Sequence, residues 1–141
     1  MIPGGLYLAD TSALSRIRHP TVGFELDRLG RLGLLASCVT VDLEVLYSAR
    51  GPAEYTEIAR RRVVGFTDLP LHDEIARRAR WVQAELARRS QHRAVGVVDL
   101  LTAAIAERHA AVLLHYDRDF DHIAEVTGQQ TRWVVAAGSA G

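Results

Sequence analysis

Short apolar runs alternate with amphipathic stretches along this chain, and that alternation restricts the fold more than any other feature. Leu6–Ala9, Leu34–Val39, Val63–Thr67, Ala111–Leu114 and Arg132–Ala136 read as strands. Between them the apolar spacing turns helical. A helix opens near Ser12 with Leu14 and Ile17 facing inward, and His19-Pro20 breaks it. Val22, Leu26 and Leu29 then repeat up to Gly30 or Gly33. Thr40 is read as the cap of a helix Val41–Ala49, which Gly51-Pro52 ends. Residues 53–62 form another helix, with Arg60–Arg62 in its last turn, where the helix dipole favours cations. The longest helix spans Asp73 to Ser90 on the stripe Ile75, Ala79, Val82, Leu86. Leu100–His109 and Phe120–Thr127, stopped by Gly128, complete the helices. Strands separated by helices require right-handed crossovers, so the expectation is an α/β fold with a mostly parallel sheet covered on both faces.

The chain has 141 residues, enough for one domain with a sizeable core. Residues 1–137 are read as that domain and 138–141 as a flexible tail. Net charge is zero, so any binding of a polyanion must come from local patches. All seventeen basic residues are arginine, which removes P-loop and Schiff-base chemistry and leaves a side chain suited to bidentate phosphate contacts. Cys38 is the sole cysteine and reads as a small buried filler; no internal disulfide is possible, which fits a reducing cytoplasm. The MIPGGLYLAD start lacks the basic and apolar regions of a signal peptide, and no apolar run approaches the roughly 20 residues of a membrane span.

Acidic residues fall where the apolar runs end. Asp10 follows the first strand; it either caps the next helix or, if Ser12 caps, is free to act as a ligand. Glu44 lies among Leu43, Val45 and Leu46 early in a helix, as a dipole partner or as a ligand. Asp99, in VVDLLTAAIA, is a cap, a ligand, or both if its two oxygens divide the work. Asp117 and Asp119 in YDRDF form an Asx-turn pair or point into one pocket, and Asp121 faces solvent. Carboxylates beside a core need their charge compensated. One divalent ion compensates several at once, and oxygen ligands select Mg²⁺ or Mn²⁺. In open α/β sheets, ligands gather at the carboxyl ends of strands, where Asp10 and Asp117 lie.

The stretches LADTSAL, TVDLEVLYSA, VVDLLTAAIA and YDRDFDHIAEVTG, in this order over residues 6–128, resemble the PIN-domain ribonucleases, and within them the VapC-type toxins of type II toxin–antitoxin modules. The resemblance implies a three-layer α/β/α fold on a five-stranded, mostly parallel sheet. It implies Mg²⁺- or Mn²⁺-dependent cleavage of phosphodiesters in single-stranded or structured RNA, with Asp10, Glu44, Asp99 and Asp117 as the acidic quartet and Asp119 as a fifth acid. Ser12 matches a polar position near the metal and Thr11 a supporting one. His115 stands where the family often has threonine, which puts it beside the pocket and in reach of a phosphate. The resemblance further implies a small antitoxin partner and a homodimer, assembling with the antitoxin into a heterotetramer or larger.

The clusters Arg60–Arg62, Arg77/Arg78/Arg80 and Arg88/Arg89/Arg93 are RNA or antitoxin contacts or solvated faces, with Glu74–Arg78 and Glu85–Arg89 as i,i+4 pairs. His19, His72, His92, His109 and His122 read as surface or packing residues, and Trp81 and Trp133 as core or interface. A haloacid-dehalogenase-type phosphatase needs a second Asp where Ser12 stands, and a lysine; a receiver module needs paired early acids and a late lysine. The remaining alternative is a catalytically inactive PIN-like scaffold working through protein contacts.

Overall fold

A computed structural model of the protein describes residues 5–141. Residues 1–4 lie outside the described residues, and with them the start of the 1–137 domain and most of the MIPGG segment. The strands are β1 (Tyr7–Ala9), β2 (Leu35–Ser37), β3 (Thr67–Asp68), β4 (Val112–His115) and β5 (Thr131–Trp133). The helices are α1 (Thr11–Leu14), α2 (Pro20–Arg31), α3 (Val39–Tyr47), α4 (Pro52–Gly65), α5 (Asp73–Arg88), α6 (Val97–Arg108) and α7 (Asp119–Thr127). The sheet runs β3-β2-β1-β4-β5, and every pairing is parallel.

Alternation of side chains along the strands divides the core between the two faces. Leu8, Ala36 and Leu113 point to one face, where Ile75, Val82 and Leu86 of α5, Ile105 of α6 and Phe120 and Ile123 of α7 cover them. Their neighbours Ala9, Leu35 and Leu114 point to the other, against Ala13 of α1 and Val22, Leu26 and Leu29 of α2. This is the three-layer α/β/α arrangement. The chain leaves β1 toward β2 on one side, while β4 pairs on the other. A switch point therefore opens between the carboxyl ends of β1 and β4.

Five local expectations are corrected. Ile17 is 56% exposed, not on an inner face. The chain turns back over α2 after only four helical residues, so closely that a Cβ on Gly23 would stand 2.7 Å from the Ile17 carbonyl oxygen. Thr40 does not cap α3. Cys38 occupies that position, and the Thr40 hydroxyl instead meets Thr102 at 2.7 Å, tying α3 to α6. Val63 and Val64 are not strand residues; they continue α4 and are 80% and 74% exposed. Glu74 and Glu85 do not pair with Arg78 and Arg89. Glu74 reaches Arg108 (2.8 Å) and Arg78 reaches Glu107 (2.9 Å), joining α5 to α6, while Glu85 pairs with Arg88. The last strand is also shifted, to Thr131–Trp133, with Val134 still donating its N–H to the His115 carbonyl at 2.8 Å.

The extension of α4 has a physical cause in Arg62. Its side chain is 7% exposed, donates to the Asp42 carboxylate at 2.9 Å and to the Ser37 hydroxyl, and lies 4.0 Å from the centre of the Phe66 ring. One more helical turn after Arg62 carries the chain to Phe66 and the β3 edge, which pairs only two residues with β2. Arg62 thus fastens α4 to the end of β2 and the start of α3. Arg62→Leu should cost about 2–3 kcal/mol in urea unfolding, below the range for a fully buried pair because Asp42 keeps partial access to water. Adding Asp42→Asn should return part of that loss. Equal stability of Arg62→Leu and the wild type would show that the network carries no such weight.

Candidate metal centre

Asp10 and Asp117 at the β1/β4 opening are each fixed by a backbone N–H two residues on. Asp10 ends β1 and donates its N–H to the Leu114 carbonyl of β4 at 2.9 Å. Its carboxylate caps α1, accepting from the Ser12 N–H at 2.9 Å through Oδ2. Asp10 is therefore the cap, and Ser12 is not. Oδ1 of Asp10 is buried and has no protein partner. Ser12 does a different job: its hydroxyl accepts the Tyr116 N–H at 2.9 Å, bridging the gap between α1 and the turn after β4.

That turn carries Asp117 and Asp119. Asp117 Oδ1 accepts the Asp119 N–H at 2.9 Å, the Asx-turn anticipated from the sequence, and both carboxylates nonetheless face one pocket. The turn is braced by His115, whose Nδ1 accepts the Asp117 N–H at 3.1 Å. His115 is fully buried against the Phe120 and Trp133 rings, each centred 5.1 Å away, so it does not reach a phosphate. Burial lowers its pKa, which keeps the ring neutral and Nδ1 available as an acceptor.

Asp99 approaches from the first turn of α6, whose N-cap residue is Gly96; Asp99 does not cap the helix. Oxygens of Asp99, Asp117 and Asp119 lie within 4.8 Å of one another. Burial pushes Asp99 up to about 7, and the neighbouring charges of Asp10, Asp117, Asp119 and Glu44 add to the shift. Asp119 is raised by its burial and by Asp117, against hydrogen bonds from Gly96 and Asp99. Asp10 is raised by burial and by Glu44, against the bonds from Ser12 and Thr11. Glu44 sits on the exposed side of α3 and accepts from the Thr11 hydroxyl at 2.9 Å. The structure thus brings Asp99, Asp117 and Asp119 into one tight group. Asp10 and Glu44 stand outside it, close enough for their charges to be felt at Asp99.

Two observations fit this pocket to a hard cation. The buried Asp10 Oδ1 lacks a partner, and burial together with the neighbouring carboxylates holds Asp99 partly protonated at neutral pH. A divalent ion would satisfy the first and relieve the second. The sequence reading passed over Arg16, which donates to the Ser12 carbonyl at 2.7 Å and lies 4.3 Å from the centre of the Tyr116 ring. Its spacing of four residues from Ser12 is the signal the sequence carries, although α1 itself ends at Leu14.

Comparison with known proteins agrees with this geometry. The family model described as PIN domain matches residues 7–126. Ribonuclease VapC51 of Mycobacterium tuberculosis is 43% identical over 136 residues, covering 94% of this chain and 96% of that protein. Ribonuclease VapC21 of the same species is 40% identical over 136 residues, covering 95% and 97%. Among solved structures, DNA-bound VapBC from Salmonella typhimurium superposes with a TM-score of 0.74 at 18% identity over 92% of this chain and 98% of that one. VapBC2 from Rickettsia felis, bound to a promoter DNA fragment, gives 0.73 at 15% identity over 90% and 97%.

The raised pKa of Asp99 has a measurable consequence. Unfolded, the group ionises near 3.8; folded, it holds its proton until about 7. Between those values rising pH weakens the native state, and above about 7 the penalty is complete. In EDTA, Asp99→Asn should therefore melt above the wild type at pH 8, by a few degrees on a scale of about 2–4 °C per kcal/mol. The difference should shrink toward pH 4. Mn²⁺ should raise the melting temperature of the wild type far more than that of the variant. A variant that melts lower at pH 8 in EDTA would refute the repulsive pocket.

Proposed function

Because the chain belongs to the PIN-domain family, within its VapC ribonuclease branch, we propose that it is a divalent-metal-dependent endoribonuclease and the toxin of a toxin–antitoxin pair. The observation that carries this reading is the group of Asp99, Asp117 and Asp119 beside the unpartnered Asp10 Oδ1, at the switch point of a parallel sheet. Near-neighbour relatives named as ribonucleases, at 40–43% identity over almost their full length, support the activity. Structural neighbours that are VapBC complexes support a small antitoxin as the partner.

Asp10, Asp99, Asp117 and Asp119 would hold Mg²⁺ or Mn²⁺ through oxygens that the backbone leaves free, with Glu44 at the exposed rim. The bound ion supplies charge neutralisation at the phosphate and a water acidic enough to act as nucleophile near neutral pH. The remaining work belongs to the chain. Thr11 holds the Glu44 carboxylate by one oxygen. Ser12 and His115 fix the turn that presents Asp117, one through the Tyr116 N–H and the other through the Asp117 N–H. Asp99, titrating near neutrality, is suited to hold a proton in the cation-free pocket and release it as the pocket fills. Such placement, with electrostatic stabilisation, is the protein's usual share of phosphoryl chemistry.

A cytoplasmic location and a homodimer, joined by antitoxin into a heterotetramer or larger, belong to the same proposal. No helix among the described residues is long and apolar enough to cross a membrane. The test is cleavage of total cellular RNA by the purified protein. Cleavage should require Mg²⁺ or Mn²⁺, stop in EDTA, and fall at least about a hundredfold in Asp10→Asn and Asp99→Asn. Both variants should keep the wild-type circular dichroism. Undiminished cleavage in both, or in EDTA, would sink the proposal.

A further inference from the structure

Beside the acidic pocket runs an open cleft of about 620 Å³ that shares two of its walls, Ser12 and Asp117. Its other walls are Arg16, Tyr116, Arg118 and Trp133, and the last residues of the chain close one side, where the Ala140 N–H donates to the Tyr116 hydroxyl at 2.9 Å. We infer that this cleft seats the nucleotide next to the scissile phosphate of an unpaired RNA strand, with Arg16 and Arg118 on its phosphate and Trp133 beside its base. The inference rests on the ribonuclease reading and on the unpaired strand the family resemblance implies; what it adds is the residues that seat that strand.

Charge is the first support. Ten arginines are paired with carboxylates elsewhere on the molecule, yet among the described residues neither Arg16 nor Arg118 has an acidic partner. Arg16 is held in place by the Ser12 carbonyl and the Tyr116 ring, and its Nε is buried without a partner. Arg118 stands exposed on the turn that presents Asp117. Two uncompensated guanidinium groups against a cluster of carboxylates match a phosphodiester that leaves that cluster.

Shape is the second. Tyr116 and Trp133 pack edge to face, 5.3 Å apart at 81°, and the Trp133 indole N–H donates to Asp121 at 3.2 Å. The indole is thus a fixed aromatic wall, of the kind on which an unstacked base rests. A base inside an A-form duplex is stacked on its neighbours and cannot turn into such a cleft.

The test uses a short unstructured oligoribonucleotide that the wild type cleaves, and the same sequence annealed to its complement. Arg16→Gln and Arg118→Ala should raise KM for the single strand five- to tenfold, more than they lower kcat, and each should reduce the salt slope of binding by about one. Binding should also quench Trp133 fluorescence in a Trp81→Phe, Asp99→Asn protein, where Trp133 is the only indole. The duplex should be cleaved poorly and leave Trp133 unquenched. If the wild type cleaves RNA but neither arginine variant shifts KM or the salt slope, or Trp133 emission ignores the strand, the cleft assignment is overturned and the ribonuclease reading stands. If the wild type cleaves no RNA with either metal, both fall.

Discussion

Repulsion between carboxylates is the constraint on which the rest of this structure depends. Five acids stand around one opening of the sheet, and the pKa of Asp99 near 7 records first the burial of its carboxylate and then the charges of the other four. Apart from a hydrogen bond between Asp99 and Asp119, their charges oppose that grouping. Three of them are anchored locally: Asp10 to the Ser12 N–H, Asp117 to the Asp119 N–H, Glu44 to the Thr11 hydroxyl. One oxygen of each is thereby engaged, and the second oxygen of Asp10 is buried without a partner. A site built this way is preorganised for a cation at the expense of stability without one.

The scaffold supplies the stability that the site lacks. Parallel pairing of β1 with β4 brings Asp10 beside Leu114 and sets the spacing of the opening. Apolar side chains on alternate strand positions then clamp the sheet between α1–α2 and α5–α7. His115 links the two functions. Its ring fills the core against Phe120 and Trp133, while its Nδ1 accepts the Asp117 N–H. A buried side chain with a single outward-facing acceptor transmits core packing to the metal turn. That role needs a neutral ring, which burial maintains.

Much of this was legible in the sequence because it depends on local pattern. Strand ends at Asp10 and Asp117 follow from apolar runs, and the layer order follows from strand–helix alternation. What was not legible depends on partners distant in the chain. Val63 and Val64 have strand-like side chains, but Arg62 needs a helix to reach Asp42 and Ser37, and that requirement prevails. Ion pairs drawn within α5 form between α5 and α6 instead, since the helices pack side by side. His115 was placed near a phosphate because sequence position showed its proximity to the acids and not its direction. Its inward turn is set by Phe120 and Trp133, which no spacing rule connects.

A zero net charge also takes on meaning in three dimensions. The acidic pocket by itself repels a phosphodiester, so affinity for an RNA strand has to come from groups that flank it. Most arginines are neutralised by neighbouring acids and contribute little field at a distance. Among the described residues seven of the seventeen arginines form no ion pair, and two of them border the cleft that also holds Ser12 and Asp117. Local imbalance on a neutral molecule gives a weaker general attraction to nucleic acid than a basic surface would. Under the proposed function, contact would in return be confined to the place where the carboxylates lie.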